Sequence, residues 1–394
     1  MAEVRTATVV GGGVAGLASA VSLAQAGWQA TVLERAPEFG EVGAGLAITG
    51  NGMTALGAIG AAGAVRDAGY QTSTAGYQGP DGRWLMQIPD VPSLRKVTTI
   101  WGLHRQRLHA AVLDAARAAD GVELINGAEV VKVQPGQVRG ESARVTWRTG
   151  VEARRQTSDL VVAADGVRST VRAQLFPGAP ARYSGSTCWR AVIPDTSTDG
   201  RLVEVWGPET EFGFLRVSDS ELYWFGYFRH PEGASFGDEL AAARDRFAGW
   251  SPQIRAIVAA TTADQLMRHD VYYLPGGLHT YIRGRVVMVG DAAHAALPTV
   301  GGGASTALED GVCVGRLIGA PVRDGADLGT ALADFDQARR PRCQKIARLA
   351  VMTARFGCDL GGGWRQSVRN AMLRLAPPKV LIRAGTQVVD WTAP

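Results

Sequence analysis

Two strand-to-helix junctions near opposite ends of the chain restrict its fold more than any bulk property does. The first, Gly11-Gly12-Gly13-Val14-Ala15-Gly16, follows the β-branched run Thr6–Val10 and opens a helical stretch from Ala15 to Gln25. The other, Gly290-Asp291-Ala292-Ala293-His294, follows the apolar run Arg285–Val289. It leads through Pro298 to Gly301-Gly302-Gly303 and a helix with Leu308, Val312 and Leu317 on one face. About 280 residues lie between them. With no repeat or low-complexity linker in that span, the parts of the chain are interleaved and not strung in series.

The first junction has the context a dinucleotide fingerprint requires. Gly11 permits the tight turn, Gly13 lets the backbone approach a pyrophosphate, and Gly16 allows close helix–strand packing, while the helix start stabilises negative charge. Gly27 closes the helix, Ala30–Leu33 forms the next strand, and Glu34 ends it, 18 residues after Gly16, where a carboxylate would bond ribose hydroxyls. Between the two junctions, the buried run Asp159–Ala164 delivers Asp165 and Gly166 to a strand end, and a helix begins at Val167–Ala173. Asp165 reads either as that helix's N-cap or as part of a nucleotide site.

Bulk properties fit a soluble enzyme. At 394 residues, with 46% hydrophobic and 20% charged residues, the chain is long enough for two packed domains. Four cysteines without CxxC spacing argue against zinc or a disulfide framework and point to a reducing cytoplasm, and no metal is expected. Glycines interrupt the N-terminal apolar run, so it reads as neither a secretion signal nor a membrane span. The net charge of +4 is concentrated from Arg339 to Arg383. That excess reads as a solvated helical face, or as attraction for an anionic substrate or NAD(P)H. No nucleic-acid-binding module accompanies it.

Helical patterns run over Asn51–Ala68, Arg105–Ala119 and Asp238–Ala260. Glu123–Val133 and Ala143–Arg148 alternate as strands. From Thr187 onward the chain reads as antiparallel strands (Cys188–Ile193, Leu202–Trp206, Phe212–Val217, Glu221–Phe228) rich in aromatic residues, a natural wall for a flat substrate.

Taken in order, the three motifs resemble those of the class A flavoprotein monooxygenases typified by p-hydroxybenzoate hydroxylase. Glu41-Val42-Gly43-Ala44-Gly45-Leu46, His104-Arg105, Cys188-Trp189-Arg190 and Tyr223-Trp224-Phe225 are similar to the branch containing salicylate hydroxylase, 3-hydroxybenzoate 6-hydroxylase and zeaxanthin epoxidase. The resemblance implies an α/β fold with an α+β substrate part. A Rossmann-like βαβ FAD-binding domain of the glutathione-reductase type would be interleaved with an antiparallel-sheet substrate domain, and C-terminal helices would follow. It places FAD-binding parts at 1–75, 101–180 and 276–340, substrate-domain strands at 76–100, the substrate sheet and helix at 181–275, and the terminal helices at 341–394. Gly11, Gly13, Gly16, Glu34, Arg35, Ala47, Arg105, Val130, Asp291, Gly301, Gly302, Gly303 and Ala304 would line a non-covalent FAD. Asp165 and Gly166 would serve both FAD and a transient NAD(P)H.

The same resemblance implies an NAD(P)H-dependent monooxygenase that hydroxylates or epoxidises an aromatic or polycyclic small molecule, with O2, through a flavin C4a-hydroperoxide. The chain would be a cytoplasmic monomer or homodimer. One departure stands out: the branch usually has Pro-Asn-Leu-Gly-Gln-Gly where this chain has Pro298-Thr299-Val300-Gly301-Gly302-Gly303. Candidate substrate contacts are Arg190, Trp224 and Pro298. Arg190 reads as an anion binder or as the partner of a surface acid, Trp224 as a cavity wall or as core, and His294 as a packed or capping residue or as a base. No residue stands out as a base for a phenol. Two other readings stay open: an FAD oxidoreductase without oxygen insertion, such as a prenyl reductase, and a flavin-binding protein without turnover.

Overall fold

The computed structural model describes residues 4–40, 43–195, 198–376 and 385–394. Glu41, Val42 and the basic residue Arg383 of the sequence reading lie outside them. Three sheets organise the molecule. A six-stranded sheet has Thr6–Val10 near its centre, paired in parallel with Gln29–Leu33 on one side and Leu160–Ala163 on the other. Val122–Ile125 and Val286–Met288 extend it in parallel, and Ile282–Arg283 adds an antiparallel edge. The inner strands are mostly apolar because the helix Val14–Gln25 covers one face and a three-stranded sheet the other.

A nine-stranded sheet carries the aromatic residues. Arg182–Pro194, Glu221–Arg229, Thr210–Arg216 and Leu202–Gly207 form consecutive antiparallel pairs. Tyr70–Gln78 pairs in parallel with Leu202–Gly207 and antiparallel with Thr99–His104, which pairs antiparallel with Gly45–Thr49. A separate three-stranded sheet contains Glu129–Gln134, Ala143–Thr149 and Glu152–Ser158.

Several expected elements divide. The helix expected over Asn51–Ala68 is two, Gly50–Ala58 and Ala62–Ala68, broken at Gly60 in a left-handed conformation. The helix expected from Asp238 to Ala260 stops at Phe247 and restarts at Pro252, where proline suits a first helical position. The strand expected over Glu123–Val133 is also two, and they belong to different sheets.

The helix Gly303–Cys313 crosses the first helix, Val14–Gln25, along small residues. A Cβ on Gly311 would lie 2.5 Å from Ala18, and one on Gly315 would lie 2.1 Å from the Ser22 hydroxyl. Ser22 donates to the Val312 carbonyl at 3.0 Å, and the chain widens there into a π-helical stretch, Val314–Gly319. The second junction is thus locked against the helix that the first one opens.

Candidate functional site

The first junction forms a cradle. Gly13 caps the helix Val14–Gln25 with no side-chain hydrogen bond, leaving the first-turn N–H groups for another acceptor. A Cβ on Gly11 would meet the Ala164 carbonyl oxygen at 2.5 Å, and one on Gly16 would meet the Gly11 carbonyl oxygen at 2.0 Å, so both positions demand glycine. Glu34 clamps this loop: one carboxylate oxygen accepts from the Gly12 N–H at 2.7 Å and the other from the Ala36 N–H at 2.8 Å. Each oxygen keeps a lone pair that could take a ribose hydroxyl. His109, which the sequence reading missed, contacts the Gly12 carbonyl through Nε2 at 2.7 Å. Arg35 is exposed beside the loop, whereas Val130 is buried within the main core.

Asp165 is not the N-cap. The helix starts at Thr170, and Ser169 caps it by accepting from the Arg172 N–H at 2.8 Å. Asp165 supports the turn instead, accepting the Ser169 hydroxyl at 2.5 Å and the Val171 N–H at 3.0 Å. Burial raises its pKa against the pull of those bonds.

At the other junction Asp291 leaves its carboxylate exposed, while Gly290 packs against the fingerprint helix. A Cβ on Gly290 would lie 3.0 Å from that of Ala15. Behind the turn lies a buried charge network. Asp310 accepts the Gly290 N–H at 2.8 Å, contacts His294 Nε2 at 2.5 Å and takes Arg339 Nε at 2.7 Å. Arg339 and Arg342 both pair with Glu309, which also accepts from the Asn51 amide. Burial alone would raise the Asp310 pKa, but His294 and Arg339 outweigh it and hold the group well below the carboxylate range. Burial opposes charging of His294, yet Cys343 and Asp310 raise its pKa well above the ordinary value. His294 is therefore held in a buried pair with Asp310, and its role as a packed residue is the one the fold selects. His294, Asp310 and Cys343 present donor atoms within 4.8 Å of one another, but the Arg339 guanidinium already occupies an Asp310 oxygen there.

Gly301 and Gly303 face open space, with no atom within 4 Å of a Cβ at either position, and Gly302 caps the helix Gly303–Cys313 without a side-chain bond. Ala304 is half-buried in the first turn of that helix. Gly302 points the other way. A Cβ there would lie 3.3 Å from Val388 and 3.8 Å from Ile346, so the C-terminal segment fills the space a longer side chain would need. Pro298 opens the short 3-10 turn that precedes these glycines.

The aromatic sheet corrects one expectation. Trp224 faces away from the glycine loops: it stacks on Phe212 at 5.1 Å, packs with Phe247 under the helices Glu239–Phe247 and Pro252–Ala259, and donates to the Thr261 hydroxyl at 2.9 Å. Tyr223 and Phe225 occupy the opposite face. The Tyr223 ring lies over Gly45, and both rings pack near Ala47 on the strand Gly45–Thr49. Alternation sets Trp224 and Tyr223 on opposite faces of the strand, and of the two readings of Trp224 the core is the one observed.

Arg190 shares this inner face. It is in contact with Tyr223 and Cys188, and its Nε has no hydrogen-bond partner. Arg105 begins the helix Arg105–Ala118 beside Gly43 and, with Arg190, acts electrostatically on His269. His269 is exposed on the adjoining strand Met267–Tyr273; desolvation by the neighbouring protein, then Arg190 and Arg105, bring its pKa down to about 4. It is a neutral imidazole with a free lone pair near neutral pH. Further along the face, Glu204 and Glu211 form a carboxyl pair with Tyr77. Burial raises both acids, Glu204 to about 7, and the proximity of Glu204 raises Glu211 further. None of His269, Glu204 and Glu211 carries a local sequence pattern.

One chain that wraps remote segments around a dinucleotide cradle and roofs it with an aromatic antiparallel sheet has the architecture of the FAD-dependent hydroxylases. A family model described as "FAD binding domain" matches residues 3–350, and the chain belongs to that family. It is accordingly an FAD-dependent monooxygenase of the aromatic-hydroxylase kind. It is 32% identical over 380 residues to 2-heptyl-3-hydroxy-4(1H)-quinolone synthase of Pseudomonas aeruginosa, covering 94% of each chain. It is 34% identical to the aurachin C monooxygenase/isomerase of Stigmatella aurantiaca, with 89% of each chain covered. Among solved structures, Klebsiella pneumoniae HpxO complexed with FAD and uric acid superimposes with a TM-score of 0.84 at 22% identity, covering 98% of this chain and 96% of that one. Pseudomonas aeruginosa PqsL in complex with 2-aminobenzoylacetate gives 0.79 at 23% identity, over 94% and 99%.

Proposed function

We propose that this enzyme hydroxylates a flat heteroaromatic of the 2-alkyl-4-quinolone class, using NAD(P)H and O2. The observation that carries this reading is Arg190. Its guanidinium is enclosed against Tyr223 and Cys188 on the inner face of the sheet, with Nε unpartnered. Such a setting suits one anionic or strongly polarised oxygen on an otherwise apolar, planar molecule. The full-length similarity to a quinolone synthase supports the same class.

FAD, when bound, supplies the redox chemistry, accepting hydride from NAD(P)H and activating O2. The residues of the chain position and polarise. The open helix start at Gly13 and the acceptors Glu34 and Asp291 would hold the dinucleotide, with Arg35, Ala47, Arg105 and Val130 beside it and Gly166 following the braced Asp165. The Gly301 N–H is bonded to the Pro298 carbonyl, so the backbone N–H groups of Gly302, Gly303 and Ala304 are the ones that would stabilise negative charge developing on the ring system. Arg190 would bind the carbonyl or enolate oxygen of the substrate, and neutral His269 nearby could accept a proton from it.

The test is oxidation of NADPH by the FAD-loaded protein with 2-heptyl-4(1H)-quinolone, salicylate or urate under ¹⁸O2. We expect stimulation by the quinolone alone and one labelled oxygen in its product. Stimulation by salicylate or urate in its place would reject the substrate class. An unlabelled product would reject oxygen insertion in favour of a simple oxidoreductase.

A further inference from the structure

The helix Trp364–Leu375 presents an apolar stripe outward. Trp364 is 73% exposed, Val368 49%, Met372 56% and Leu375 83%, at spacings that place all four on one helical face. A globular protein normally turns such a stripe toward its core. Here the other face is already committed. Leu373 packs with Leu85, Met86 and Trp206. Arg369 is buried, donates to the Gly357 carbonyl at 3.1 Å and lies over the Trp206 ring at 5.4 Å. The helix is therefore anchored by its inner side with the apolar side left to solvent. The last turns of the adjoining helix Leu328–Phe356 add Met352 and Phe356, also exposed.

Charge identifies what this face meets. Arg348, Arg355, Arg365 and Arg374 are exposed along the same two helices, and no acidic residue lies between Leu360 and Val389. Tryptophan and leucine flanked by arginines, with the half-buried Asp359 between the helices the one carboxylate in that stretch of sequence, match the boundary between anionic headgroups and acyl chains. A second copy of this chain fits poorly, since a two-fold contact through this patch would set arginines against arginines. No helix among the described residues is long and apolar enough to cross a membrane, so any attachment through these helices is peripheral.

We infer that the helix Trp364–Leu375 docks this enzyme on the surface of an anionic lipid bilayer, with Trp364, Met372 and Leu375 inserted and the arginines at the headgroups. The inference is independent of the substrate assigned above.

Co-sedimentation of the FAD-loaded protein with vesicles tests it. Vesicles of equal parts phosphatidylglycerol and phosphatidylcholine should pull the protein down, and phosphatidylcholine alone should not. The triple substitution Trp364→Gln, Met372→Gln, Leu375→Gln should weaken partitioning by at least about tenfold. Arg365→Glu with Arg374→Glu should do the same, and high salt should weaken the wild type. All these positions are exposed, so FAD content and thermal stability should be unchanged, which separates lost docking from misfolding. Wild-type protein that stays in the supernatant with anionic vesicles overturns the inference. So does a vesicle-independent dimer, without lipid binding, that the triple substitution dissolves, because the stripe would then be a contact between copies.

Discussion

Asp310 and His294 meet at 2.5 Å in the core, and the same Asp310 oxygen takes the Gly290 N–H at 2.8 Å. One buried carboxylate therefore fixes the turn that presents Asp291, although it lies about twenty residues further along the chain. Asp310→Ala leaves the Gly290 N–H and Arg339 Nε without their acceptor and takes the carboxylate from His294, and we expect a loss of about 3 kcal/mol in urea denaturation. FAD retention should fall with it. His294→Gln, which keeps a donor, should cost less than half as much.

Asp291→Ala separates cofactor binding from folding. Its carboxylate is exposed, so the stability of the FAD-free protein should change by less than about 0.5 kcal/mol. FAD should nevertheless be lost on gel filtration. Full retention would remove Asp291 from the cofactor site.

Arg190→Ala should raise KM for the accepted aromatic substrate by at least about tenfold, the weight of a charge-assisted hydrogen bond, with flavin content unchanged. Arg190→Lys should recover part of the loss. Identical KM values in all three proteins would return Arg190 to a packing role.

Trp224 should behave in the opposite way. Trp224→Phe removes the bond to Thr261 and some ring volume, and should cost about 1–2 kcal/mol of stability with KM unaltered. A selective rise in KM would place Trp224 at the substrate after all.

The Glu204–Glu211 pair should make stability depend on pH. Burial raises the folded Glu204 pKa to about 7, above the ordinary glutamate value of 4.5. The folded state then holds more protons than the unfolded one between those values, so the contribution is complete below pH 4.5 and lost as pH rises through 7. Glu204→Gln should therefore gain stability relative to wild type between pH 5 and pH 8, by roughly 2 kcal/mol. Melting temperatures of both proteins across that range measure it, and parallel curves would refute the raised Glu204 pKa.

Local chemistry explains what could be read before folding. Gly11, Gly16 and Glu34 act within one βαβ unit, so their spacing carries their geometry. Asp165 and Asp291 were legible as strand ends for the same reason. Whether Asp165 caps the helix stays open in the sequence because Ser169, four residues on, also competes for the helix N–H groups. Trp224 shows a different limit: period-two alternation sorts side chains onto two faces but not onto the layers those faces meet. Asp310, Arg339 and Glu309 are polar positions on helical faces whose partners come from other elements, so no window of sequence contains the network. Gly302 looked like a lost functional side chain, and Val388 supplies its steric reason.

The strand Tyr70–Gln78 pairs with Thr99–His104 along its first half and with Leu202–Gly207 along its second. In mechanical terms it is a beam shared by the cofactor-side strands and the aromatic roof. Rotating the roof as a rigid lobe would mean bending that beam or shearing its ladders, so no low-stiffness hinge axis separates the two. Compliance must reside in pieces laid over this frame, the glycine loop at Gly301–Gly303 and the C-terminal helices. A substrate would then be admitted at the periphery of a stiff vault and not between parting jaws.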